Sequence, residues 1–137
     1  MATGSQVFVR SRLSTSETRV LLGVGLAIAL LAGLVFRIVG HLVLDPANPL
    51  VVGVIFVLTV PLMWGLAVGV FRWRGIEGVE RREGAVLLVV PGMLVDAFST
   101  ALFSVVYPNM SLAAAGLFGG LLLLAYATVL VAGLFSR

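Results

Sequence analysis

Arg37, His41, Asp96, Ser99, Thr100, Ser104, Tyr107 and Asn109 are the side chains whose type and spacing allow chemistry, because they bring charge and hydrogen-bonding capacity into or beside long apolar stretches. A guanidinium holds a carboxylate or phosphate through two parallel charge-assisted bonds. A carboxylate surrounded by hydrocarbon must take a proton or find a donor. Arg37, His41 and Asp45 are spaced i, i+4, i+8 and continue the small-residue ridge of Gly25, Ala29 and Gly33 along one helix face. At 100° per residue, Asp96, Ser99, Thr100, Ser104 and Tyr107 fall within an arc of about 140°, with Ala97, Phe98, Ala101, Leu102 and Val105 opposite. The pattern predicts a polar pocket made by Arg37, His41, Asp96, Ser99, Thr100, Ser104, Tyr107 and Asn109, in which Arg37 bonds Asp96 and so joins the first and third helices. His41 is the alternative donor, and a lipid phosphate is the alternative partner for Arg37.

The elements that must position these residues are four apolar runs, at about residues 20–44, 50–71, 84–106 and 111–135. Each reaches the roughly 20 residues that a helix needs to cross a bilayer at 1.5 Å per residue. With 137 residues, 61% of them apolar and 11% charged, and a strongly positive mean hydropathy, the chain is expected to be one all-α domain, an integral membrane four-helix bundle. Arg37 then lies roughly 25 Å along the first helix from Val20, and Asp96 about 18 Å along the third from Gly84. Both depths fall in the same half of the membrane.

Arginines provide the orientation. Arg10, Arg12 and Arg19 precede the first run, Arg72, Arg74, Arg81 and Arg82 separate the second from the third, and Arg137 follows the fourth, while the links Asp45–Pro49 and Tyr107–Met110 have none. The positive-inside rule predicts cytoplasmic N and C termini, a cytoplasmic loop 72–83 and two tight outer turns, in a multi-pass protein of the cell membrane. The first run is too long for a signal-peptide core and should remain in the mature chain. Ser14 and Glu17 have capping-box spacing after an N-terminal tail, 1–14. Prolines in both turns stop helices, and Pro61 and Pro91 should kink theirs. The loop 72–83 mixes charges and reads as a solvated connector, with Trp64 and Trp73 anchoring the second helix near the interface. Small residues at Gly65 and Gly69, and at Gly116 and Gly120, form further contact ridges, within the bundle or between protomers.

Composition also narrows the chemistry. Without cysteine and with a single histidine, the chain has no thiolate nucleophile, iron–sulfur ligation or bis-histidine haem site, and no cofactor or metal is expected. The net charge of +3, carried by arginine alone, is read as topology rather than nucleic-acid binding. Membrane lipids are the expected partners, with a second copy or another membrane subunit as further options.

The segments Phe36-Arg37-x-x-Gly40-His41, Pro91-Gly92-Met93-Leu94-x-Asp96-Ala97-Phe98-Ser99 and Tyr107-Pro108-Asn109 resemble a family of small four-span prokaryotic membrane proteins described only as a domain of unknown function, over roughly residues 20–135. The resemblance implies the four-helix membrane architecture and carries no activity or ligand. Small multidrug exporters are similar in length and span number but keep their key acid in the first helix, where this chain offers Arg37 instead.

Three functions follow from the residues, in descending order. One is a binding, accessory or structural role for the outward-facing polar pocket. Next comes a dimeric proton-coupled transporter using Asp96 as its protonatable group. Last is a membrane enzyme with His41 as base to Ser99 or Ser104. The cysteine-free chain makes the orientation testable: an impermeant maleimide should label Asn109→Cys in intact cells and Glu77→Cys only after permeabilisation. The reverse pattern would invert the topology.

Overall fold

The computed structural model describes residues 13–135; the tail as far as residue 12, with Arg10 and Arg12, and Arg137 at the other end lie outside the described residues. Ser14 starts the first helix as its spacing predicts, its hydroxyl accepting the Glu17 backbone N–H at 3.1 Å. The helices are α1 (Thr15–Val43), α2 (Pro49–Trp73), α3 (Glu80–Ala101), the single turn α4 (Phe103–Val106) and α5 (Ala114–Phe135). Four of them are long and apolar enough to cross a membrane, so the protein is an all-α, multi-pass membrane bundle. Its outer surface carries large apolar side chains such as Leu31, Ile38, Leu94, Phe98 and Leu123, as lipid contact requires.

The helix ends are built from local chemistry. Asp45 Oδ1 accepts the Ala47 N–H at 2.9 Å in an Asx turn, and Pro49 opens α2, although Asn48 caps it without a side-chain bond. At the other end of α2, Gly75 has φ 67°, the Gly75 N–H donates to Arg72 O at 3.2 Å, and the Ile76 N–H reaches back to Phe71 O at 2.8 Å. This is a Schellman closure, sealed by contact between two buried side chains, Phe71 and Ile76. The segment 72–83 is therefore more than a solvated connector: Ile76 and Arg81 turn inward. Arg81 is 3% exposed, donates from Nε to Ile76 O at 2.9 Å and lies 5.4 Å from the Phe71 ring centroid, while its Nη1 has no hydrogen-bond partner among the described residues. Glu17, instead of completing the capping box, accepts Arg74 at 2.8 and 3.0 Å and ties the start of α1 to the end of α2.

Pro61 and Pro91 sit inside helices that run on without interruption. The break in the third apolar run falls at Leu102, where φ −106° and ψ 37° leave the helix. Thr100 prepares it by donating its hydroxyl to Asp96 O at 2.6 Å and Ala97 O at 3.2 Å, a back-bonding geometry that bends helices. Phe103 and Tyr107, seven and eleven residues beyond Asp96, stay on its face and enter the core, while Ser104 faces out.

Helix α3 is the central element, packed on one side against α1 and on the other against α5, which carries α2 on its far side. Although joined by a tight turn, α1 and α2 touch only sparsely. Glycines set the close approaches. A Cβ at Gly25 would collide with the Leu88 backbone, and one at Gly133 would lie 2.5 Å from Ala85 Cβ and 2.7 Å from Arg81 O. The ridge of α1 thus packs inside the bundle, whereas Gly65, Gly69 and Gly116 have no neighbour within 4 Å.

Two apolar cores result. One, at the end carrying the termini, contains Leu21, Phe71, Leu88 and Val129; the other, at the end of the short turns, contains Phe103, Tyr107, Phe118 and Leu121. Gly25→Ala should lower stability by roughly 1–3 kcal/mol through overpacking, while Gly65→Ala should leave it unchanged or raise it by up to about 1 kcal/mol through helix propensity. Denaturation of the detergent-solubilised protein by SDS measures both.

Candidate functional site

Asp96 lies between the two cores and is 7% exposed. Its position follows from Gly92, one turn earlier on α3. A Cβ there would sit 2.7 Å from the Tyr126 hydroxyl and 3.2 Å from Ala29 Cβ. The missing side chain lets α5 bring Tyr126 across, and the Tyr126 hydroxyl donates to Asp96 Oδ2. The second oxygen, Oδ1, accepts no bond from a described residue and is not enclosed.

Asp96 belongs to the lining of a groove of about 480 Å³ between α1 and α2, the two helices that the packing leaves apart. Ala32, Val35 and Phe36 form one wall, and Leu58, Thr59 and Leu62 the other. Val89 and Asp96 of α3, with Leu121 and Tyr126 of α5, make the floor. Thr59 spends its hydroxyl on Ile55 O at 2.8 Å, which leaves the walls almost wholly apolar. An apolar cavity with a few convergent polar atoms is the usual form of a small-molecule site.

The eight residues expected to share one pocket are divided. The bond expected between Arg37 and Asp96 is absent: Arg37 Nη1 donates to Val106 O at 2.9 Å, and Asp96 is held by Tyr126. The physical reason is the end of the third apolar run at Val106, which leaves last-turn carbonyls without intrahelical partners within reach of α1, and a guanidinium there needs no carboxylate. Asn109 Nδ2 donates to Arg37 O at 3.0 Å, so these two residues fasten α1 to the turn after α4. Nearby, a Cβ at Gly40 would lie 2.5 Å from Met110 Sδ, which shows how closely that turn seats on α1.

His41 and Ser104 are exposed, and the Thr100 hydroxyl is committed to the backbone of its own helix. Tyr107 is 1% exposed, packs against Phe118 at 4.7 Å between centroids, and interacts through its hydroxyl with Ser99. Asp96, Ser99 and Tyr107 are therefore interior, while Arg37, His41, Ser104 and Asn109 are exposed. The residue that the sequence pattern did not single out is Tyr126. Gly92, a small residue one turn from a membrane acid, was the available signal that another helix approaches there.

A double-mutant cycle on thermal unfolding should return a coupling on the order of 1–2 kcal/mol between Asp96→Ala and Tyr126→Phe, because each change strands the other partner. The cycle between Asp96→Ala and Arg37→Ala should stay within about 0.5 kcal/mol.

Neither a curated protein nor a solved structure matches the chain. A family model matches residues 43–137, which include Asp96 and Tyr126 and begin at the last residue of α1, later than the resemblance noted from short motifs. The chain belongs to that family, the family of unknown function DUF5367.

Proposed function

We propose that the protein is a membrane-embedded binding protein, acting alone or as an accessory subunit, that admits a mostly apolar, lipid-sized molecule sideways from the bilayer into the groove between α1 and α2. The single observation behind this reading is the groove itself, with apolar walls and one acid and one tyrosine at its floor. Van der Waals packing drives helix association in lipid, and lipid tails match leucine in polarity. A gap between two helices is therefore filled by hydrocarbon rather than left to water. Arginine placement supports an orientation with both termini in the cytoplasm. Membrane lipids are then both the solvent and the nearest source of ligand.

Ala32→Trp and Leu62→Trp would fill the groove from opposite walls. Gently extracted wild-type protein should carry an apolar molecule in native mass spectrometry, and each variant should lose it while remaining folded. Wild-type protein that carries nothing apolar, or variants that retain the same molecule, would overturn the reading.

The open Asp96 oxygen favours a second reading, proton-coupled transport, since a buried membrane carboxylate able to exchange its proton is a familiar relay element. Proteoliposomes with an entrapped pH dye test it: solute-driven proton movement that Asp96→Asn abolishes supports transport, and none with any offered solute removes it.

A further inference from the structure

We infer that the molecule admitted to the groove carries a protonated amine, and that this ammonium bonds Asp96 Oδ1. The inference rests on the groove reading above and narrows it to lipophilic amines.

The floor offers one carboxyl group and, among the described residues, no cation to match it. Tyr126 satisfies Oδ2 as a neutral donor, which leaves Oδ1 without a bond from a described residue on a side chain that lines an almost wholly apolar groove. The ionisable groups of the surrounding elements do not complete the pair. Arg37 of α1 is engaged at Val106 O, Tyr126 of α5 is already bonded, Tyr107 beyond α4 faces Ser99, and α2 contributes only Thr59 to the groove, its hydroxyl turned to its own backbone. A carboxylate beside hydrocarbon is neutralised by a proton or by a cation brought to it. An N–H-bearing ammonium supplies charge and hydrogen-bond donor together, whereas an alcohol supplies the donor alone. As the ammonium enters, the Asp96 carboxyl releases its proton to water, so one positive charge replaces another. Binding should then strengthen as pH rises, for as long as the amine stays charged.

The test uses the full chain in nanodiscs of zwitterionic lipid, with dodecylamine and dodecanol as probes, native mass spectrometry as the readout and empty nanodiscs as the blank. Wild-type protein should prefer dodecylamine at least tenfold, and amine affinity should rise several-fold between pH 5.5 and 7.5. Asp96→Asn keeps an acceptor for Tyr126 and should bind the two probes equally. Ala32→Trp should bind neither. Equal binding of the two probes by wild-type protein, or amine affinity independent of pH, overturns the inference while leaving the groove reading in place. Failure of both probes to bind wild-type protein, or binding that Ala32→Trp does not reduce, overturns both. Should Asp96→Asn not fold, the wild-type preference and its pH dependence decide the matter.

Discussion

The close approach of α3 to both of its neighbours is the constraint on which the rest depends. Leu88 lies against Gly25 of α1, Ala85 against Gly133 of α5, and Gly92 against Ala29 and Tyr126. In lipid, where apolar side chains gain nothing by hiding from their surroundings, contact area at short range is what holds helices together, and glycine is what permits it. With α3 locked between α1 and α5, and α2 seated on α5, the chain's first two long helices touch only sparsely. The groove is a consequence of this order of packing. Its floor is formed by α3 with α5, and α3 brings to it the one acid within the apolar spans.

Ionisable groups are handled in four ways along the length of the bundle. Beyond the apolar runs, Glu17 and Arg74 neutralise each other where side chains still reach solvent, a setting in which an ion pair adds little stability but fixes geometry. Arg81, buried at the start of α3, relies on a carbonyl and an aromatic face. Arg37 caps the carbonyl end of α4, where the third apolar run stops. Asp96 differs from all of them in taking a single neutral donor and keeping an oxygen open.

Much of this protein was legible without coordinates. Run length and composition determined four helices and a membrane environment, since no other structure satisfies so many backbone groups in hydrocarbon. The Ser14 cap, the turns at Asp45 and Pro108, and Asp96 as the unusual residue also follow from local chemistry, which depends on neighbours in sequence. The period of the third run, by contrast, misled at Ser104, which it put on the strip with Asp96 and which is exposed beyond the break at Leu102, whereas Tyr107 stays inward as the period predicts. Only tertiary structure decided the partner of Asp96, because that depends on which helices touch and at what height. Arg37 and Tyr126 were both within plausible reach, and charge alone favours Arg37. Helix order and a missing Cβ at Gly92 gave the contact to Tyr126, and neither the order nor the gap between α1 and α2 is written in the periodicity of any single segment.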